Sequence, residues 1–135
     1  MTKVIVVEGI SSSGKTSSIR KFAENHGIFA PLSPRDFILV ITIQKHGKSH
    51  KICVVTGGDN PSMIKAGVDF GLSQSVDVIV CATKSSGATV AYMNSLVSTH
   101  GLNRVTIPTN WVDPTLSSQT AEHIRVASEI DKNIP

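Results

Sequence analysis

The chain has 135 residues, 40% hydrophobic and 17% charged, with a formal net charge of +3. That length and balance fit one packed domain over residues 1–135 and exclude a disordered or low-complexity chain. No apolar run approaches the ~20 residues a membrane helix needs, and no secretory signal precedes the first apolar segment, so a cytoplasmic protein without a membrane partner is expected.

The first strand is expected over residues 3–7, the apolar run Lys3-Val4-Ile5-Val6-Val7. It leads into Gly9-Ile10-Ser11-Ser12-Ser13-Gly14-Lys15-Thr16, which meets every position of G-x-x-x-x-G-K-[ST]. In this pattern glycine lets the backbone curl, so that successive N–H groups face one concavity. The positive end of the following helix faces the same anion. Gly9, Ser11, Ser12, Ser13, Gly14, Lys15, Thr16 and Ser17 are therefore the expected nucleoside triphosphate cradle. Lys15 would reach the β- and γ-phosphates, and the Thr16 hydroxyl would ligate Mg²⁺.

A helix is expected from Lys15 to His26, stopped by Gly27. A proline-containing loop, Ile28 to Asp36, then returns the chain towards the nucleotide end. Nine extended residues reach about 30 Å, more than the roughly 18 Å that the helix climbs. Residues 37–44 and 52–55 are expected as two strands of an antiparallel hairpin, joined by the polar connector Lys45 to His50. Lys45, Lys48 and Lys51 gather at this hairpin and read as a solvated tip. The other cations are scattered, so nucleic acid is not indicated as a partner.

Asn60-Pro61 opens a second helix, with Asn60 as its cap and Ile64, Val68 and Leu72 on its inner face. The apolar run Val76 to Ala82 is expected as a central strand, with Asp77 at the edge opposite the site. A helix over residues 88–100 buries Met93, Leu96 and Val97 and ends at Gly101. A short strand follows over residues 105–107. Ser118 caps a last helix in which Ala121, Ile124 and Ala127 share a face. Cys53 and Cys81 fall within apolar strands and are expected to be buried, reduced thiols.

The resulting order, β-α-β-β-α-β-α-β-α, implies a three-layer α/β/α sandwich of about five mostly parallel strands, with the second antiparallel. Three loops then meet at the carboxyl edge: Pro31–Asp36, Thr56–Asp59 and Thr83–Gly87. With this motif the chain resembles the P-loop NTPases, and within them the small GTPase-like and nucleotide-kinase arrangements. It is also similar to a group of short, uncharacterised P-loop ATP-binding proteins of bacteria and phages. The residues carrying that likeness are Gly14-Lys15-Thr16, Arg35-Asp36-Phe37, Thr56-Gly57-Gly58-Asp59 and Asp77-Val78-Ile79-Val80-Cys81-Ala82, over the chain up to about residue 90.

The GTPase-like pattern places an aspartate where this chain has Thr56. Asp59, directly or through water, is then the expected second Mg²⁺ contact. Thr83-Lys84-Ser85-Ser86 lacks the carboxylate that pairs with guanine in such proteins, which favours ATP over GTP. Trp111 is a candidate for stacking on the base. Asp59 and Glu8 are candidates to orient water, Arg35 to stabilise transferred charge, and Ser33 to offer a hydroxyl to Mg²⁺.

The expected function is a Mg²⁺-dependent ATP-binding protein, either a slow ATPase or a nucleotide-dependent switch whose loops report to a protein partner. Two alternatives stand beside it. One is a small nucleoside- or nucleotide-type kinase, given that Val7-Glu8-Gly9 resembles the start of thymidylate kinases and that Lys84, Ser85 and Ser86 offer an acceptor-phosphate site. The other is a nucleotide-binding regulator that hydrolyses nothing.

Overall fold

A computed structural model describes residues 2–9, 15–27, 38–56, 61–83, 88–109 and 116–135. The elements are β1 (Lys3–Glu8), α1 (Lys15–Asn25), β2 (Ile38–Lys45), β3 (Lys48–Val55), α2 (Pro61–Ser73), β4 (Val78–Thr83), α3 (Ala88–His100), β5 (Asn103–Pro108) and α4 (Leu116–Asn133). Their order is the one expected from the sequence.

The strands form one sheet in the order β2-β3-β4-β1-β5. β1 pairs in parallel with both β4 and β5, β3 pairs in parallel with β4, and only β2 runs antiparallel. Helices cover both faces, giving the three-layer α/β/α sandwich. On one face Ile19 and Phe22 of α1 join Val126, Ala127 and Ile130 of α4 against Ile5, Val7, Val54 and Val80. On the other, Ile64 and Val68 of α2 and Met93 and Leu96 of α3 pack on Val4, Val6, Val55, Ile79 and Cys81. Every residue of β4 is buried, because this strand has a strand on each side and helices on each face.

Local chemistry explains the turns. His46 and Gly47 both take positive φ, 53° and 76°, which is the two-residue hairpin geometry matching strand twist. The hairpin is therefore tighter than expected, and β3 begins at Lys48 rather than at residue 52. Its first residues are polar, which concealed them, yet Lys48, Ser49, His50 and Lys51 pair with Lys45, Gln44, Ile43 and Thr42. Gly101 ends α3 at φ 61°, with its N–H donating to the Ser98 carbonyl and the Leu102 N–H donating to that of Val97.

Two expectations about the last helix are corrected. It begins at Leu116, so Ser118 lies inside it rather than capping it. Its inner face is Val126, Ala127 and Ile130, while Ala121 is exposed and Ile124 is 49% exposed. The helix meets α1 as well as the sheet, and that two-sided contact rotates the buried stripe away from the Ala121–Ile124 line.

The hairpin lysines are also more than a solvated tip. Lys45 Nζ donates to the Asp131 and Ile134 carbonyls at 2.5 and 2.6 Å, and Lys3 Nζ donates to the Asn133 carbonyl at 2.6 Å. Both cations meet the negative end of α4. Lys51 Nζ donates to the Gln74 carbonyl beyond α2, and Lys51 N–H donates to the Asp77 carboxylate at 2.9 Å. Asp77 lies at the amino edge of the sheet, as expected.

Gly67 and Gly71 bring α2 unusually close to the sheet. A Cβ at Gly67 would lie 2.4 Å from Val55 Cγ1, and one at Gly71 would lie 3.1 Å from Cys53 Cβ. Gly67→Ala should therefore lower unfolding free energy by about 1–3 kcal/mol, against the gain in helix propensity that alanine normally brings. Urea denaturation of the two proteins checks this.

Cys53 and Cys81 are both free and buried, as expected. Burial pushes the Cys53 thiol up to about 11 and the Cys81 thiol up to about 12, from an ordinary 9.0. The unfolded chain loses these protons first as pH rises, so the thiols' contribution is complete below pH 9 and declines through 11 to 12. Native protein at pH 8 should label with iodoacetamide only as fast as the sheet opens, and both thiols should label promptly in denaturant. Mass spectrometry of timed samples measures both rates.

Candidate functional site

The four parallel strands share a carboxyl edge, and each is followed by a helix. α1 and α4, after β1 and β5, cover one face; α2 and α3, after β3 and β4, cover the other. β1 and β4 are thus the adjacent parallel strands whose chains depart to opposite faces. A crevice opens at such a switch point, and ligands of open α/β sheets settle there.

The end of β1 is held on both sides at this crevice. Gly9 is buried and its N–H donates to the Thr83 carbonyl of β4 at 3.1 Å. From the β5 side, Thr109 N–H and hydroxyl donate to the Glu8 carbonyl at 2.7 and 3.1 Å. The glycine-flanked segment therefore leaves from a fixed point, and α1 begins at Lys15 with Ser17 exposed in its first turn. Four positive helix ends face one edge, and none carries an acidic residue in its own first turn.

Of the expected cradle, Gly9 and Ser17 are described at this crevice, and Lys15 and Thr16 are described only as the first two helical residues of α1. Ser11, Ser12, Ser13 and Gly14 lie outside the described residues. So do Ser33, Arg35, Asp59, Asn60, Lys84, Ser85, Ser86 and Trp111. Strand order nevertheless bears on Asp59. β4 stands between β3 and β1, so the segment after β3 starts about 10 Å from the end of β1, two strand spacings away. The residue beside the end of β1 is Thr83, not Thr56.

Thr83, the start of one of the three loops expected at this edge, and Arg104, which sequence reading passed over, accompany Glu8 here. Thr83 is fully buried and its hydroxyl has no hydrogen-bond partner among the described residues. It stands in register with Glu8, on the α3 side of the sheet. Arg104, on β5, lies on that same side: its guanidinium donates to Asn94 of α3 and, through Nε, to the Thr106 hydroxyl at 3.2 Å. Its Nη2 is 4.0 Å from a Glu8 carboxylate oxygen. The positive charge of Arg104 also partly opposes the rise that burial imposes on the Cys81 thiol of β4, so its field crosses β1. Thr83 had a legible signal, a hydroxyl ending an apolar run. Arg104 had none, because only strand pairing brings it to Glu8.

A second ion pair fastens α4 to the same edge. Glu122, with a side chain 5% exposed, accepts hydrogen bonds from Arg125 Nε and Nη2 at 2.5 and 3.1 Å. Arg125 Nη2 also donates to the Pro108 carbonyl at the end of β5, at 2.9 Å. The Glu122 hydrogen bonds raise the Arg125 pKa, while burial lowers that of neighbouring His123.

No protein-family model and no curated protein matches this chain. Among solved structures it is similar to that of APE1195, at 15% identity and a TM-score of 0.47, over 98% of this chain and 73% of that one.

Arg125→Met should cost about 1–3 kcal/mol of stability, since it takes the guanidinium from a buried carboxylate. The half-exposed arginine keeps the loss in that range. Thermal or urea unfolding measures it, and Glu122→Gln in the same background should recover part of it.

Proposed function

We propose that this protein is a Mg²⁺-dependent ATP-binding P-loop protein that hydrolyses ATP slowly or uses it as a switch. The observation that carries the reading is the coincidence of the Gly9–Thr16 pattern with the switch point between β1 and β4. The patterned segment leaves the end of β1 at this switch point and enters a helix with no acidic residue in its first turn.

In this reading the amides of residues 9–16 hold the α- and β-phosphates. Lys15 bridges to the γ-phosphate as a flexible point charge. The donor set suits a hard cation: Thr16 offers a hydroxyl and Asp59 a carboxylate oxygen. Mg²⁺ bound there would neutralise charge on the phosphate oxygens. Arg35 would add positive charge as the terminal phosphoryl group is transferred, with Ser33 a further hydroxyl on the same loop. ATP is favoured over GTP by the missing carboxylate in Thr83-Lys84-Ser85-Ser86. The reading implies a cytoplasmic setting rich in ATP and thiol reductant, in keeping with two protonated, buried cysteines. It also implies a protein partner that senses the loops when the terminal phosphate is present. Among the described residues no helix is long and apolar enough to cross a membrane.

Calorimetric titration with Mg²⁺ and ATP tests the reading. Wild type should bind, and Lys15→Ala should bind at least tenfold more weakly while keeping the wild-type melting temperature. Equal affinity in the two proteins would remove the site assignment.

A further inference from the structure

We infer that Glu8, Thr83 and Arg104 form the nucleophile side of this crevice, holding a water molecule against the terminal phosphate. The inference rests on the phosphate-binding reading above and adds the half of the site that the motif does not supply.

The switch point has two walls of different chemistry. In the phosphate-binding reading, one is the α1 side, where the amides of residues 9–16 would take the part of the triphosphate that leaves as nucleoside diphosphate. An in-line displacement needs its nucleophile on the far side of the phosphorus from that leaving group. The far wall is the α3 side of β1 and β4, and the polar groups that end those strands on this side are Glu8 and Thr83, side by side in register.

Each group has unused capacity of the right kind. The Glu8 carboxylate is 26% exposed, open enough for water yet sheltered by the sheet. Its contact with Arg104 at 4.0 Å is an ion pair too long for a hydrogen bond, so the carboxylate retains its acceptor sites. Arg104 itself is spoken for. Asn94 and Thr106 hold two of its nitrogens, leaving it an oriented charge rather than a mobile one. It tempers the repulsion between Glu8 and an incoming polyphosphate and sets the carboxylate's direction; it is a positioning residue. Thr83 supplies a fully buried hydroxyl with no partner among the described residues, beside the Glu8 carboxylate. A water between Glu8 and Thr83 would satisfy both groups.

The step balances without a further reactant. The water oxygen forms a bond to the terminal phosphorus while the bond from that phosphorus to the bridging oxygen breaks. The electron pair leaves with the nucleoside diphosphate. The water's proton passes to the Glu8 carboxylate and then to solvent.

The test compares wild type with Glu8→Gln, Thr83→Val, Thr83→Ser, Arg104→Met and Arg104→Lys. For each, phosphate release from Mg²⁺–ATP, affinity for a non-hydrolysable ATP analogue and melting temperature are measured. Glu8→Gln should lower kcat by about 100-fold or more, the usual scale for a lost general base, with analogue affinity within threefold of wild type. Thr83→Val should melt at or above the wild-type temperature, because it removes an unsatisfied buried hydroxyl, yet hydrolyse at least tenfold more slowly. Thr83→Ser should keep the activity. Arg104→Met should lower kcat with little change in KM, and Arg104→Lys should restore part of the loss.

If Glu8→Gln and Thr83→Val hydrolyse within twofold of wild type while the analogue still binds, the inference fails and the phosphate-binding reading survives. Analogue binding by wild type without phosphate release also overturns it. Phosphate transferred to an added nucleoside or nucleotide in place of water would overturn the choice of water. No affinity of wild type for any triphosphate would overturn both.

Discussion

The parallel pairing of β1 with β4 is the contact on which the rest of the site depends. It joins two strands whose chains must then part, one to the α1 face and the other to the α3 face. A continuous sheet flanked by helices has no reason to be open at its edge, but the carboxyl ends of strands that diverge in this way are where open α/β sheets take ligands. Because β1, β3, β4 and β5 all run the same way, those ends lie where four helices begin. Secondary structure, topology and electrostatics thus converge on a few residues around Gly9.

The two edges of the sheet are built on opposite terms. At the amino edge the helix ends are tied down by side chains, although the buried His50 Nε2 has no partner among the described residues. Lys3 and Lys45 cover the last carbonyls of α4, Lys51 reaches the carbonyl of Gln74, and His26 meets Asp131 at 2.5 Å. At the carboxyl edge, among the described residues, a buried hydroxyl has no partner, a carboxylate has a cation at 4.0 Å, and the first turns of four helices hold no acidic residue. Groups left short of partners within a stable scaffold are where a ligand gains most, since its oxygens and protons complete what the chain does not. The anchored edge supplies the rigidity that makes such an open edge tolerable.

The packing of the two faces differs for a related reason. The α2 layer approaches closely through Gly67 and Gly71, side-chain-free positions that let the helix lie almost on Val55 and Cys53. α1 and α4 share their face with each other as well as with the sheet, with Phe22, Ile19 and Ile130 fully buried on that face. Two helices supporting one another need less intimate contact with the strands. They also fix the direction of α1, and with it the approach of its positive end to the crevice.

Local periodicity was enough to place every element in order, because an apolar run such as Val78–Thr83 or a stop such as Gly101 is a property of neighbouring residues. The glycine-lysine-threonine pattern was legible for the same reason. Polar beginnings of paired strands were not: Lys48 to Lys51 become a strand only when opposed by Thr42 to Lys45. Nor was the inner face of α4, which depends on where α1 lies beside it. The partnership of Glu8, Thr83 and Arg104 spans nearly 100 residues of chain and exists only through register, Glu8 against Thr83 on one side and β5 on the other. Short-range chemistry displays the glycine-lysine-threonine pattern, whereas the strand that lies beside β1, β4 rather than β3, belongs to the order in which the strands assemble, and no single segment encodes that order.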